Sequence, residues 1–397
     1  MLRWGILSTA KIGVKDVIPA ICRADNSIVA AIASRNLSRA QDVAAQFGIQ
    51  HAYGSYDELL ACDEIDAVYI PLITSDHAHW SIEAANAGKH VLCEKPISIH
   101  SDDIHAIILA AGRNNVTVSE AVMITYHPQW LKVRALLAKG AIGTLTHVQA
   151  AFSFYNDDAS NMRNIPEKGG GALLDIGIYP VAATRFATGL EPIQVMSDIR
   201  YDPKFGTDTH SINRISFDGF ELSMYVSTQM ALRQAIVFHG DKGWIELSAP
   251  FNAGKYGDDC VTLHNVDHSE IQTFRFSDIN QYTKQIEAFA RHIKGEAQPE
   301  GINILSLESS LGNQRVIDAL FAAGKHFPGA GSPARARLLV RNGVTACNVP
   351  VGKAASPVGR TKRCMLRPVK RHGHRVSLAR GRWKADAAEE SAGSEPP

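Results

Sequence analysis

Three side chains that can move a proton or hold a polar substrate stand out in the sequence: Lys95, Asp175 and Tyr179. Lys95 directly follows Glu94 and the apolar run 90–93. Asp175 and Tyr179 are four residues apart, so on a helix they share one face. A tyrosine hydroxyl, with an ordinary pKa of about 10, becomes a base at neutral pH only if a cation stabilises its phenolate. Lys95 is the candidate cation, and the set predicts acid/base chemistry on an alcohol or carbonyl.

The same residues also fit a structural role. Lys95 could pair with Glu94, and Asp175 and Tyr179 could simply pack an interdomain helix. Each motif alone fits either interpretation, but their joint occurrence favours a catalytic centre.

A nucleotide-binding turn is predicted near the start of the chain. The first predicted strand, residues 3–7, leads into Ser8-Thr9-Ala10-Lys11-Ile12-Gly13. Small residues at such a turn let the backbone approach a pyrophosphate, which then sits on the N–H groups of the following helix. Ser8, Ala10 and Gly13 hold the three small positions, so the G-x-G-x-x-G pattern is degraded and also fits an ordinary tight turn.

The end of the second predicted strand indicates which dinucleotide binds. NAD sites usually place Asp or Glu there to accept a hydrogen bond from the ribose 2′-hydroxyl. Here Ser34 and Arg35 occupy the position, and a serine and an arginine suit a 2′-phosphate. We therefore predict NADP as cofactor, with NAD as the second possibility. A solvent-facing Ser-Arg loop is the structural alternative.

Residues 1–121 predict an α/β domain, a doubly wound parallel sheet of the Rossmann type. Continuous apolar strands alternate with helical segments, as in parallel sheets covered on both faces. The predicted strands lie at residues 3–7, 28–33, 66–72, 90–93 and 116–120. Predicted helices include residues 37–47 and 78–87.

Residues 122–328 predict a second α/β domain with a large, open, mostly antiparallel sheet, because strands follow one another at short spacing. The predicted strands lie at residues 146–154, 211–217, 221–228, 235–239, 244–247 and 271–276. One helix over residues 172–187 interrupts them, and helices over residues 280–294 and 304–323 follow. We expect the terminal helix to pack back on the Rossmann domain.

The last part of the chain has a different composition. Residues 331–397 hold 14 Lys and Arg against 4 Asp and Glu, whereas the whole chain has a net charge of +1. Rich in Arg, Ala, Gly and Pro, residues 329–397 are predicted to be disordered. A basic tail can bind nucleic acid, but no recognisable module accompanies it, and we predict no nucleic-acid partner.

The remaining composition predicts a cytoplasmic protein. No stretch approaches the ~20 apolar residues of a membrane span, and the N-terminus lacks the pattern of a secretory signal. The six cysteines form no C-x-x-C pair, which favours reduced thiols, and we expect Cys93 to be a buried strand residue. The histidines lack metal-ligand spacing, so no metal is predicted.

Two motifs at this spacing carry a family resemblance: Glu94-Lys95-Pro96, and the run from Gly169-Gly170-Gly171 through Asp175 to Tyr179. Together they resemble the glucose–fructose oxidoreductase and inositol dehydrogenase family, often called Gfo/Idh/MocA. The resemblance extends from residue 3 to near residue 325. The tyrosine at position 179 makes the chain similar to the branch that contains dimeric dihydrodiol dehydrogenase and NADP-dependent xylose dehydrogenase. Inositol dehydrogenase-like members carry His at that position.

The resemblance implies a role for each residue. Lys95 would hold a substrate hydroxyl or carbonyl and would lower the pKa of the neighbouring Tyr179. Tyr179 would then exchange the proton with the substrate. Asp175 would orient the substrate or pair with Lys95. The expected substrate-binding residues are Tyr155, Arg163, Asp175 and Tyr179. The expected cofactor-binding residues are Ser8, Thr9, Ala10, Lys11, Ile12, Ser34, Arg35, Pro71, Leu72, Ser75, His77, Glu94 and Lys95.

Two departures from the family pattern affect the substrate prediction. The usual Pro-Asn after the third predicted strand is Ile73-Thr74, and the arginine expected in the run 123–129 is absent. Arg163 is the nearest alternative cation.

We predict an NADP-dependent oxidoreductase acting on a sugar or polyol, most concretely an aldose 1-dehydrogenase of the xylose or glucose type. The alternatives are a trans-dihydrodiol dehydrogenase, a ketosugar reductase or a non-catalytic NADP-binding regulatory protein. The family resemblance also implies a homodimer or higher homo-oligomer formed through the open sheet.

Overall fold

The computed structural model of this chain describes residues 1–326. The predicted basic segment 329–397 lies outside the described residues, so its disorder stays a prediction. Within residues 1–326, no helix is both long and apolar enough to cross a membrane.

The first sheet contains six strands in parallel pairings. They are β1 (Leu2–Leu7), β2 (Ser27–Ala33), β3 (His51–Tyr53), β4 (Ala67–Ile70), β5 (His90–Cys93) and β6 (Val118–Glu120). Their order is β3-β2-β1-β4-β5-β6, which is the Rossmann order. The predicted fold of the first domain is therefore confirmed.

Helices cover this sheet, and every residue of β4 is buried as a result. They are α1 (Ile18–Arg23), α2 (Leu37–Phe47), α3 (Tyr56–Leu60), α4 (Thr74–Asn86) and α5 (Ser101–Asn114). Helix α2 has its predicted bounds because the Asn36 side chain accepts a hydrogen bond from the Arg39 N–H, and Gly48 ends it with a φ of 67°. Strand β3 and helix α3 were not predicted because they are too short for a hydrophobic period to appear, and helix α5 was not predicted either.

The second sheet contains nine strands in the order β14-β13-β12-β11-β7-β10-β9-β8-β15. They are β7 (Leu145–Tyr155), β8 (Gln194–Tyr201), β9 (Asp208–Ser216), β10 (Glu221–Ser227), β11 (Gln229–Gly240), β12 (Gly243–Leu247), β13 (Cys260–Asn265), β14 (Ile271–Arg275) and β15 (Gly324–His326). Only the β7–β10 and β8–β15 pairings are parallel. The predicted open, mostly antiparallel sheet is therefore confirmed.

Strand β8 was missed because its pattern is inverted. Met196 points outward and is 55% exposed, whereas Ser197 is buried and donates a hydrogen bond to the Asn213 side chain. A strand with an apolar outer residue and a polar inner one does not show the alternation by which strands are recognised. Strand β13 and helix α6 were also missed.

Four helices belong to the second half of the chain: α6 (Pro128–Ala138), α7 (Ile178–Thr188), α8 (Gln281–Ile293) and α9 (Leu307–Ala323). Helix α7 packs on β7, and α9 packs on α5 and β6 of the Rossmann domain. The Asp318 carboxylate on α9 accepts a hydrogen bond from the Ser101 N–H at 2.9 Å. Helix α9 therefore ties the two halves of the chain together.

The glycine run 169–171 lets two segments approach the start of α7 closely. A Cβ on Gly170 would lie 2.6 Å from the backbone oxygen of Arg163. Gly171 has a φ of +120°, and a Cβ there would lie 1.8 Å from Oδ1 of Asp208. Asp208 in turn accepts a hydrogen bond from the Leu173 N–H at 2.8 Å. A π-helical turn, Leu173–Gly177, then leads into α7.

We expect Gly171→Ala to lower the free energy of unfolding by about 1–3 kcal/mol, because the new Cβ would be forced into a strained backbone region against Asp208. Urea unfolding measures the change. Gly112→Ala is the matched control, since it lies in α5 with open space around it, and it should stabilise the protein by up to ~1 kcal/mol. Equal stability of Gly171→Ala and wild type would contradict this account of the glycine run.

Candidate active site

A cleft of about 600 Å³ brings most of the predicted site residues together. The turn after β1, the ends of β4 and β5, and α7 contribute to its walls, because the carboxyl ends of parallel strands meet at one edge of a sheet. The predicted residues that line it are Ser8, Ala10, Lys11, Ile12, Arg35, Pro71, Leu72, His77, Glu94, Lys95, Arg163, Asp175 and Tyr179.

Lys95 and Asp175 form the central contact of this cleft. Nζ of Lys95 lies 3.0 Å from Oδ1 of Asp175 and 2.5 Å from its backbone oxygen. Their side chains are 10% and 14% exposed. Of the two roles expected for Asp175, pairing with Lys95 is the one seen, and Lys95 does not pair through its ammonium group with Glu94.

Arg163 makes the second contact with the same carboxylate. Its Nε donates to Oδ2 of Asp175 at 2.5 Å, and its Nη2 donates to Oδ1 at 3.3 Å. Two cations therefore hold the pKa of the Asp175 carboxyl well below its usual range, although burial opposes them. The Arg163 side chain is 37% exposed, and its Nη1 has no hydrogen-bond partner within residues 1–326.

Tyr179 lies beside the pair but makes no hydrogen bond to it. Nζ of Lys95 lies 4.9 Å from the centre of the tyrosine ring, and the Tyr179 hydroxyl contacts Sδ of Met123 at 3.7 Å. Burial, followed by the charge of Glu94, raises the pKa of Tyr179 well above its usual value. The expectation that Lys95 lowers this pKa stays a prediction, since Asp175 pairs with Lys95 and no hydrogen bond joins its ammonium group to the Tyr179 hydroxyl.

Glu94 and His77 support the loops around Lys95. Glu94 accepts a hydrogen bond from the buried Tyr69 hydroxyl at 2.6 Å, and burial raises the pKa of its carboxyl. His77 has its two ring nitrogens 2.7 Å and 3.0 Å from the backbone oxygens of Pro96 and Leu72. Its 2% exposure makes it a link between these two loops, although it was expected to bind the cofactor.

The opposite end of the cleft fits a dinucleotide. Ser8 has a φ of 132°, and its Oγ accepts a hydrogen bond from the Ala10 N–H at 3.1 Å. The helix that follows begins with the Val14 N–H donating to the Ala10 oxygen, so its first N–H groups have no partner within the helix and can receive an anion. Lys11, Lys15 and Arg35 add positive charge to the same cleft. This donor set matches the phosphates of a dinucleotide.

Four predicted residues do not line the cleft: Thr9, Ser34, Ser75 and Tyr155. Tyr155 is 65% exposed, and its hydroxyl donates to the Asp157 carboxylate at 3.3 Å. Strand alternation explains this position, because Phe152 and Phe154 of β7 line the cleft whereas Tyr155 follows on the other face. The structure therefore gives Tyr155 no contact with the proposed substrate space.

Several residues that line the cleft were not predicted as site residues: Asp16, Met123, Phe152, Phe154, Met162, Asn252, Lys255 and Tyr282. Asn252, Lys255 and Tyr282 are remote in sequence from every motif, and the others lie near predicted residues without matching a functional pattern themselves. Lys255, from the segment after β12, reaches Asp16 on the helix after the first turn, with Nζ 2.5 Å from Oδ1. Only the docking of the second domain brings these two charges together. No group of three or more metal-ligating side chains occurs within residues 1–326.

Comparison with known proteins identifies the family. A profile described as an oxidoreductase family with an NAD-binding Rossmann fold, GFO/IDH/MocA, matches residues 2–122. A profile for the GFO/IDH/MocA C-terminal domain matches residues 130–246. An oxidoreductase of Rhizobium meliloti is 40% identical over 326 residues, which cover 81% of this chain and 96% of that protein. The chain belongs to the GFO/IDH/MocA family of oxidoreductases.

Two further relatives are named as a sugar dehydrogenase and a ketoreductase. The D-xylose 1-dehydrogenase (NADP(+)) 2 of Haloferax volcanii is 35% identical over 82% of this chain and 98% of its own length. The structure of a 3-ketoreductase from Actinomadura kijaniata, solved with NADP and TDP-benzene, superposes on this chain with a TM-score of 0.75. The two sequences are 27% identical, and the match covers 82% of this chain and 99% of the ketoreductase. The predicted family and branch are confirmed.

Glu120 lies behind the Lys95 loop of this oxidoreductase. Its side chain is 1% exposed, and its Oε1 accepts a hydrogen bond from the Ile97 N–H at 3.0 Å. Burial raises the pKa of Glu120 to about 7 from an ordinary value of 4.5. The sequence showed Glu120 only as the end of a predicted strand, because its charge environment depends on packing.

We expect Glu120→Gln to change how stability depends on pH. Between pH 4.5 and 7 the folded protein keeps a proton on Glu120 that the unfolded chain has released, so a rise in pH destabilises wild type relative to the variant. The difference should reach about 3 kcal/mol. Urea unfolding of both proteins from pH 4.5 to 8 measures it, and parallel stability curves would show that Glu120 titrates as in water.

Proposed function

We propose that this oxidoreductase uses NADP to transfer hydride to or from a carbon bearing a hydroxyl or carbonyl group of a sugar or polyol. The most concrete form is an aldose 1-dehydrogenase of the xylose or glucose type. The observation that carries the proposal is the Lys95–Asp175 contact with Tyr179 beside it, in the same cleft as a turn and cations suited to a dinucleotide. The NADP-dependent xylose dehydrogenase among the relatives supports it.

Each side chain has a chemical task in this proposal. The nicotinamide, when bound, accepts or supplies the hydride. Lys95 donates an N–H to the substrate oxygen, and Asp175 keeps the ammonium group in place. The Tyr179 phenolate takes up the alcohol proton during oxidation, and the Tyr179 hydroxyl gives that proton back during reduction. Arg163 offers Nη1 to an oxygen farther from the reacting carbon.

Two observations support the alternative substrates. A Tyr179 pKa well above its usual value keeps the hydroxyl protonated at neutral pH, which suits a proton donor and thus reduction of a ketosugar. Phe152, Phe154, Met123 and Met162 give the cleft an apolar surface, which fits the ring of a trans-dihydrodiol. Both substrates use the same Lys95, Asp175 and Tyr179.

We also propose a homodimer formed through the open sheet. Met196, Ile212 and Leu232 are 55%, 51% and 61% exposed, although they belong to β8, β9 and β11. Large apolar side chains grouped on one uncovered sheet are typical of a protein–protein interface. The cytoplasmic location also stays a prediction.

We expect Tyr179→Phe to lower kcat by about 10²- to 10⁴-fold, because the proton donor or acceptor is removed while the ring packing is kept. NADPH absorbance, followed with a panel of aldoses, polyols, dihydrodiols and ketosugars, measures this. In wild type, oxidation should accelerate as the pH rises, because only the deprotonated hydroxyl accepts a proton.

A Tyr179→Phe variant as active as wild type would overturn the acid/base assignment. A wild-type protein that binds NADPH but converts no compound of the panel would instead support the regulatory alternative.

We expect Arg35→Ala to reduce the preference for NADP over NAD by roughly 10- to 100-fold, because the variant lacks one charge-assisted hydrogen bond to the 2′-phosphate. Fluorescence titration with NADPH and NADH measures both dissociation constants. Arg113→Ala, an exposed arginine at the end of α5, is the matched control. An unchanged preference in Arg35→Ala would remove Arg35 from the proposed cofactor site.

A further inference from the structure

One polar side chain in the cleft has no assigned role and no partner. Asn252 lines the cleft together with Lys95, Tyr179 and Arg163. Its side-chain amide forms no hydrogen bond with any residue in 1–326, although its backbone does. An amide carries two N–H donors and one acceptor oxygen, so Asn252 brings unused hydrogen-bonding capacity to the substrate space.

The backbone of Asn252 is held by several contacts. Its N–H and that of Phe251 donate to the same oxygen of buried Gln234, at 3.1 Å and 3.3 Å. Its carbonyl accepts hydrogen bonds from the N–H groups of Lys255 and Tyr256 at 3.1 Å and 3.0 Å. A side chain on a segment fixed in this way is presented in a defined position, as recognition of one substrate group requires.

Phe251 fixes the direction in which this segment meets the catalytic centre. Its ring stacks on Phe152 at 5.2 Å and lies 5.7 Å from the ring of Tyr179. The backbone oxygen of Phe251 accepts a hydrogen bond from the Gln281 side chain at 3.2 Å. Asn252, the next residue, is therefore anchored to the aromatic cluster that also buries the proposed proton donor.

We propose that Asn252 is a specificity-determining residue that hydrogen-bonds a hydroxyl group of the substrate away from the reacting carbon. The inference rests on the proposed function, whose substrates carry several hydroxyl groups. Asn252 belongs to the second domain and follows a residue packed on Tyr179, whereas Lys255 of the same segment reaches the cofactor-side helix through Asp16. On this basis we assign a substrate hydroxyl to the amide, and the nicotinamide carboxamide is the competing ligand.

The test combines a variant with altered substrates. Wild type and Asn252→Ala are compared by kcat/KM on the best aldose of the panel and on its monodeoxy analogues. For wild type, one analogue should be poorer by about 3- to 10-fold, the value of one neutral hydrogen bond. The kcat/KM of Asn252→Ala on the parent sugar should fall by the same factor. On that analogue its kcat/KM should equal that of wild type, because the substitution and the missing hydroxyl remove the same contact.

Two further measurements separate this role from others. NADPH affinity, from fluorescence titration, and the thermal unfolding midpoint should match wild type. Asn303→Ala is the control, since Asn303 is exposed and lies near Ile108 and Val118, outside the cleft, and its kcat/KM should be unchanged with every sugar.

Three results would overturn the proposal. These are an unchanged kcat/KM in Asn252→Ala, an equal loss on the parent sugar and all its analogues, or weaker NADPH binding, which would place the amide on the cofactor. A wild-type protein that turns over no sugar, polyol or dihydrodiol would overturn the proposed function and this inference together. An active wild type with an unaffected Asn252→Ala would overturn this inference alone.

Discussion

The carboxylate of Asp175 is shared by Lys95 and Arg163, and the geometry of the cleft depends on this contact. A buried carboxylate is stable as an ion only when cations and hydrogen bonds replace its water. Here the two cations come from different domains, Lys95 from the end of β5 and Arg163 from the segment after β7. Removing either would leave a charge in the interior with too few partners. The ion triplet therefore holds the two domains in the arrangement that forms the site.

The same contact sets the chemical state of the cleft. Asp175 pairs with Lys95, and the ammonium group lies over the ring of Tyr179 without a hydrogen bond to its hydroxyl. Burial and Glu94 then keep the hydroxyl protonated. A substrate oxygen that bound between Lys95 and Tyr179 would bring both groups to one atom. Under the proposed function this state suits proton donation to a substrate, and oxidation requires that the ligand or a higher pH change it.

Much of the fold followed from the sequence because its signals are local. Continuous apolar strands between helices indicated the parallel sheet. Asn36 and Gly48 mark the start and end of α2, and each acts only on residues next to it in the chain. Strand β8 failed for an equally physical reason, since Met196 is exposed and Ser197 is buried. The sheet exposes the apolar side chain and buries the polar one, which is the reverse of their usual burial. Local pattern therefore predicts elements only where burial and polarity agree.

The sequence by itself determined the chemistry of the site: a lysine after an apolar strand, and an aspartate and a tyrosine one helical turn apart after three glycines. The tertiary structure decided what surrounds these groups. It placed Arg163 on Asp175, put Asn252 and Lys255 in the cleft, left Tyr155 outside it and buried Glu120. Spacing along the chain fixes which side chains share a helix face or strand end. Charge pairing and desolvation depend instead on how segments fold onto one another, and the Lys95–Asp175 pair forms only when the two domains pack.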